Sequence, residues 1–216
     1  MKILIACEFS GTVRDAFRRR GHDAVSCDLL PSEAGGPHIQ GDVLSVLGDG
    51  WDMMIAHPPC TYLTVSGLHW NGRVPGRAEK TEAALDFVRA LMEAPIPRVA
   101  IENPVSCISS RIRKPDQTIQ PYEFGADASK RTCLWLKGLP KLTACPSQRV
   151  AGRIVQHEGR TVERWANQTD SGQNRLPPSE DRWALRSITY PGIAEAMADQ
   201  WGSPDSLDGP LFGDAA

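Results

Sequence analysis

The sequence predicts an α/β fold built on a doubly wound parallel sheet. Short apolar runs recur at Lys2-Ile3-Leu4-Ile5-Ala6-Cys7, Ala24-Val25-Ser26-Cys27-Asp28, Trp51-Asp52-Met53-Met54-Ile55-Ala56 and Arg98-Val99-Ala100-Ile101-Glu102, with helical patterns between them. The first run is apolar almost throughout, as a central strand buried on both faces requires. Each run gives way to Gly, Pro or an acid, the punctuation expected at the end of a strand. A length of 216 residues suits one domain with a sizeable core.

After the first strand, Glu8-Phe9-Ser10-Gly11 reads as a turn and residues 12–20 as a helix. Arg18, Arg19 and Arg20 crowd the last turn of that helix, and Gly21 stops it. Residues 30–38 form a Pro- and Gly-rich loop, and Asp42 is placed to cap a helix starting near Val43. A polar loop spans residues 61–77. Residues 79–93 then form a helix with Ala84, Val88, Leu91 and Met92 at helical spacing. Asn103-Pro104 halts the strand that follows, Cys133-Leu134-Trp135-Leu136 is a further strand, and the last helix starts at Pro191 and ends near Trp201. Residues 146–186 break the rhythm, with seven arginines against five acids and no clear periodicity. The end of the chain, residues 203–216, is small and acidic and reads as a disordered tail.

A net charge of −2 announces no global attraction to nucleic acid, although a local basic patch is enough to hold phosphates. The six cysteines, at 7, 27, 60, 107, 133 and 145, include no CxxC pair. Their scatter suits reduced thiols in a cytosolic protein better than disulfides or a zinc site. The apolar start MKILIAC is too short for a signal peptide, and no run reaches transmembrane length.

His57-Pro58-Pro59-Cys60-Thr61 carries the chemistry. Two prolines forbid both continuation of the strand and an immediate helix, so Cys60 is fixed in a turn where open α/β sheets build their sites. It reads either as a nucleophilic thiol or as a packed cysteine beside a proline turn. His57 is too close in sequence to pair with Cys60, which leaves it a backbone or cofactor-pocket role. Asp28 and Asp42 are either carboxylates for a nucleoside ligand or ordinary caps. Glu102, expelled from a buried strand into a proline turn, can share a proton with a substrate nitrogen. The tryptophans read as core, and the arginines of 146–186 as a solvated surface or a phosphate-binding patch.

In order as well as content, these motifs resemble the DNA cytosine C5-methyltransferases, over roughly residues 3–201. Phe9-Ser10-Gly11 resembles the cofactor-adenine turn, Asp28 the ribose acid, which is more often Glu, and Asp42 in "GDV" the acid near the adenine amino group. "PPCTYLTVSG" resembles the catalytic loop, "IENP" the Glu-Asn-Val/Pro motif, "ASKRTCLWL" a variant of the basic motif, and "SITYPGIAEAMADQW" the closing motif.

The resemblance implies a Rossmann-like S-adenosylmethionine-dependent methyltransferase fold. Residues 1–145 would form the catalytic and cofactor-binding core, 146–186 a reduced target-recognition segment and 187–202 the closing helix, a layout similar to small phage-encoded members. It further implies Cys60 as nucleophile toward cytosine C6, Glu102 at the base, and Lys130 or Arg131 as the accompanying cation. Phe9, Ser10, Gly11, Asp28, Asp42, His57 and Pro58 would hold S-adenosylmethionine. Pro59, Ser66 and Asn103 would meet the base, and Arg149 and Arg153 the phosphates. The implied partner is DNA, read at a short site by a monomer in the cytoplasm of a bacterial or phage-infected cell, with no membrane. RNA, single-stranded DNA or a free cytosine nucleotide remain alternative substrates, and a non-catalytic nucleotide-binding protein an alternative class.

Overall fold

Successive side chains of β1 (Lys2–Ala6) point to opposite faces of the sheet, and both faces are apolar. Ile3 and Ile5 join Met53 and Ile55 of β4 (Met53–Ala56) in one core, while Leu4 and Ala6 join Met54 and Ala56 in the other. Strands of this pattern must lie inside a covered sheet. In the computed structural model, which describes residues 1–180 and 182–203, they do. β1 pairs in parallel with β4 and with β2 (Asp23–Asp28), β2 with β3 (His38–Gln40), and β4 with β5 (Arg98–Pro104). β7 (Thr132–Lys137) runs antiparallel to both β5 and β6 (Gln117–Ile119). The seven-stranded order is β3-β2-β1-β4-β5-β7-β6, the Rossmann-like fold of S-adenosylmethionine-dependent methyltransferases.

Helices cover both faces, and two short ones, α2 (Val65–Leu68) and α4 (Ile108–Arg111), lie in the loops after β4 and β5. α1 (Thr12–Arg19) brings Val13, Ala16 and Phe17 to the same core as Ile193, Ala194, Met197 and Trp201 of α6 (Pro191–Gly202). Gly192 lets α6 approach this closely, because a Cβ there would run into the carbonyl oxygen of Phe124. Arg19 and Arg20 both pair with Glu195 of α6. α3 (Arg77–Glu93) covers the opposite face with Leu85, Val88 and Leu91. Its buried stripe includes Thr81, while Ala84 and Met92 lie at the margin of the core. Among the described residues no helix is long and apolar enough to cross a membrane.

Three expectations need correction. The sheet is mixed, because β7 is antiparallel. β5 runs on through Asn103 and Pro104, which pair with Cys133 and Thr132 of β7. A proline is tolerated there because it closes the strand, where a ladder donor is least needed. Residues 146–186 hold a regular hairpin of β8 (Arg153–His157) and β9 (Arg160–Arg164), followed by α5 (Arg182–Ser187). Trp165 anchors the end of the hairpin, stacked on Tyr122 at 3.9 Å. Of the expected disordered tail, residues 204–216 lie outside the described residues.

Candidate active site

Parallel strands carry their carboxyl ends to one edge of the sheet, and the order reverses between β1 and β4, the place where such sheets bind ligands. The antiparallel β7 brings its amino end to that same edge. The edge therefore collects Cys7 to Gly11 after β1, Asp28 at the end of β2, Asp42 after β3, His57 to Cys60 after β4, Glu102 on β5 and Lys130 to Thr132 at the start of β7.

On the β1–β3 side the chain turns abruptly. Cys7 adopts a left-handed conformation (φ 58°), so that its own N–H and that of Glu8 both donate to the Cys27 carbonyl, at 2.7 and 3.3 Å. Gly11, at φ 77°, supplies the second left-handed residue, where a side chain would be strained. The buried Glu8 carboxylate accepts from Val13 N at 2.6 Å and Arg14 N at 3.2 Å and so caps α1 itself. Ser10 bonds to Thr12 at 3.2 Å. Phe9 is 8% exposed, so its ring is largely packed. Asp28 Oδ1 accepts from Leu30 N at 2.9 Å, and Asp42 Oδ1 caps the 3₁₀ turn Val43–Val46 through Leu44 N at 3.0 Å. Burial pushes the Cys7 thiol far up, and the nearby Asp28 and Asp42 charges push it further.

This donor set fits S-adenosylmethionine. Helix N-termini bind phosphate through free amides, but here Glu8 already occupies them. With Glu8 spent on those amides, Asp28 and Asp42 are the carboxylates left at this edge, and they suit a ligand with ribose hydroxyls and amino groups rather than a pyrophosphate. Asp28→Ala is expected to weaken S-adenosylmethionine binding by about 1–3 kcal/mol, the loss of a charge-assisted hydrogen bond. Calorimetry giving unchanged affinity would remove Asp28 from the site.

On the β4–β5 side, Ala56 lies beside Ile101, so the next residues, His57 and Glu102, are also neighbours. His57 Nδ1 and Glu102 Oε2 are 3.2 Å apart with both side chains nearly buried. Asn103 donates from Nδ2 to the Pro58 carbonyl at 2.8 Å and pins the proline turn to β5. The turn closes as Leu63 N and Thr64 N both donate to the Cys60 carbonyl, at 3.0 Å each. Cys60 is half-buried, Pro58 buried, and Pro59 and Ser66 exposed. Among the described residues, His57 Nε2 and Asn103 Oδ1 are buried without a hydrogen-bond partner.

Burial alone would raise the Glu102 carboxyl, but the His57 hydrogen bond, the Lys130 charge and the nearby Thr132 hydroxyl hold it below its ordinary value. Burial raises the Cys60 thiol and the Glu102 charge adds to this, while Lys130 and Arg186 oppose it. Lys130 is therefore the cation that acts on both groups, and its Nζ also donates to the Arg186 carbonyl at 2.9 Å. Arg131 is exposed, and its charge acts on Tyr122 and Cys133 instead.

The two arginines expected to hold phosphates have partners of their own. Arg149 pairs with Glu163 at 2.6 Å, and Arg153 pairs with Asp170. Arg153 Nη2 also donates to the Gln168 carbonyl at 2.9 Å.

No protein-family model matches the chain, and no curated protein matches it. Among solved structures it is similar to the crystal structure of a provisionally described DNA modification methyltransferase encoded within an E. coli prophage. The two share 16% identity at a TM-score of 0.42, over 62% of this chain and 45% of that one. The chain thus spans less than half the length of that chain. The fold assignment rests on strand order and register, not on that likeness.

Three site features escaped sequence reasoning: the His57–Glu102 contact, Thr132 as a partner of Glu102, and Arg186 beside Cys60. Only adjacent motifs could have signalled Thr132, which follows the basic pair Lys130-Arg131 in sequence. The other two depend on strand neighbours and on the return of the chain through α5.

Proposed function

We propose that this protein transfers a methyl group from S-adenosylmethionine to C5 of cytosine in DNA. The observation that carries the reading is the pairing of Cys60 and Glu102 at one sheet edge, with Lys130 acting on both. A protein that only held the cofactor or a nucleotide would need neither the thiol nor this carboxylate.

The cofactor supplies an electrophilic methyl group, and C5 of cytosine is too weak a nucleophile to take it unaided. Cys60 Sγ, as thiolate, adds to C6, and the electron pair displaced from the C5–C6 bond makes C5 nucleophilic. Charge builds on the ring as the S–C6 bond forms. Glu102 faces the ring N3 and amino group, and the proton that N3 gains passes along the hydrogen bonds of its carboxylate, of which the contact with His57 at 3.2 Å is one. Lys130 offsets the developing negative charge. Methyl transfer would leave S-adenosylhomocysteine; water then takes the C5 proton, N3 returns its proton, and the S–C6 bond breaks, which restores the ring and the thiolate. A target base inside a duplex would first have to leave the stack.

Expression of the protein in a host lacking cytosine methylation, followed by mass spectrometry of DNA and RNA nucleosides, tests the reading. 5-Methyldeoxycytidine is the expected product. 5-Methylcytidine from RNA alone, or no methylated cytosine at all, would overturn it.

A further inference from the structure

We propose that the segment following Cys60 is a docking surface for single-stranded DNA, built from Tyr62, Trp70, Arg73, Arg77 and Lys80. The proposal rests on the methyl-transfer reading for its orientation, because the surface begins two residues after the nucleophile, but its physical basis is separate.

Trp51, Trp135, Trp165 and Trp201 are buried, whereas Trp70 is 45% exposed. The Trp70 ring leans on His69 at 4.8 Å and, with the exposed Val65 and Val74, leaves apolar surface uncovered in the segment that follows Cys60. The Arg73 guanidinium lies 5.8 Å from its ring centre. Tyr62 carries two cations, Arg77 at 5.1 Å and Lys80 at 5.7 Å from its ring centre. Arg77 Nη2 also donates to the Thr61 carbonyl at 3.2 Å, which ties this cluster to the backbone beside Cys60. Two flat rings interleaved with three cations form the arrangement that holds single strands: the charges track phosphates while unpaired bases stack. A duplex keeps its bases inside and offers no such faces.

Charge complementarity favours the same occupant. Among the described residues, Arg73, Arg77 and Lys80 have no carboxylate partner, unlike Arg149 and Arg153 of the hairpin segment. Arg160 and Arg164 of that hairpin also lack a carboxylate, but only the cations beside the thiol lie against aromatic rings in the segment that follows Cys60. Val65 and Val74, 53% and 45% exposed, are the apolar side chains of the same segment, and they suit deoxyribose better than a ribose 2′-hydroxyl, which needs polar partners.

The test uses the full chain carrying Cys60→Ser, so that binding is measured apart from reaction. Fluorescence anisotropy compares a cytosine-containing single-stranded DNA, its duplex, and the RNA of the same sequence. The single-stranded DNA is expected to bind tightest. Trp70→Ala should weaken it by roughly 10-fold, within the range for loss of one stacked base. Arg73→Gln with Lys80→Gln should reduce the slope of log affinity against log salt by about 1.4, near 0.7 for each phosphate left without its cation. Equal or tighter binding of the duplex or the RNA would overturn the proposal. So would unchanged affinity in Trp70→Ala, or a weakening that appears instead in Arg149→Gln. The two readings fail separately. Single-strand binding by the Cys60→Ser chain, with no covalent adduct formed by the parent protein on 5-fluorocytosine, would sink the methyl-transfer chemistry and leave the surface standing. Adduct formation on duplex alone would do the reverse.

Discussion

Replacing Cys60 by alanine is expected to abolish the denaturation-resistant adduct that the protein forms with 5-fluorocytosine DNA in the presence of S-adenosylmethionine. Fluorine at C5 cannot leave as the proton does, so the S–C6 bond formed in the first step is trapped. The other thiols are poor rivals. Burial pushes Cys7 and Cys27 up, Cys27 to about 11, and Cys107 and Cys133 are buried in the core. Cys145 is exposed, and hydrogen bonding from Ser147 lowers its thiol, so it is the residue that general thiol reagents will find. Cys145→Ser must therefore keep the adduct while Cys60→Ala loses it, and the opposite result would move the nucleophile. The pH dependence has a definite sign. Because burial and Glu102 raise the Cys60 thiol above its ordinary value, its thiolate is the minority form near neutrality. The initial rate of adduct formation should climb between about pH 7 and pH 9. A rate that falls over this window would contradict thiolate attack.

How much of this was legible in the sequence depended on whether the signal was local. β1, β4 and β5 announce themselves as apolar runs, and Cys60 and Glu102 stand out because prolines follow or flank them at the ends of such runs. Strand direction is a different matter. Cys133-Leu134-Trp135-Leu136 is apolar on both faces whether it runs parallel or antiparallel, so nothing in it reveals the reversal that carries Lys130 and Thr132 to the site. The β8–β9 hairpin was hidden because its strands lack an apolar face: Ile154 is 68% exposed, and cross-strand pairs such as Arg153 with Arg164 carry charge. Its position is fixed from outside, by Trp165 on Tyr122 and by Asn167 Oδ1 accepting from Ser129 N at 2.9 Å. The His57–Glu102 contact spans 45 residues and exists only because β4 lies beside β5 in one register. Trp70 shows the limit from the other side: aromatic residues are usually packed, and only the structure shows that this one is not.

Glu102→Gln should separate two effects that are opposite in sign. Glutamine keeps the shape of the side chain and can still accept from His57, but it cannot carry the charge. Methyl transfer is expected to fall by roughly 10²–10⁴-fold, the range for losing a positioned acid or base at the reacting ring. The Cys60 thiol, relieved of a neighbouring negative charge, should at the same time ionise more readily, because Glu102 is one of the two causes that raise it. Alkylation of Cys60 by iodoacetamide near neutral pH, measured in a Cys145→Ser background, should therefore become faster in the variant than in the parent. Slower alkylation together with abolished transfer would mean that Glu102 acts by holding the Cys60 turn in place, not by addressing the base. Stability offers a further check on the carboxyl. Since its folded value is held below the ordinary one, its contribution is present above the unfolded carboxylate value of about 4.3 and is lost as pH falls through the lower folded value. The parent should accordingly lose its advantage in melting temperature over Glu102→Gln in acid. A gap between the two that widens as the pH drops below about 4 would mean the carboxyl is stabilised as the neutral acid, and Glu102 would then hold the proton for N3 before the base arrives.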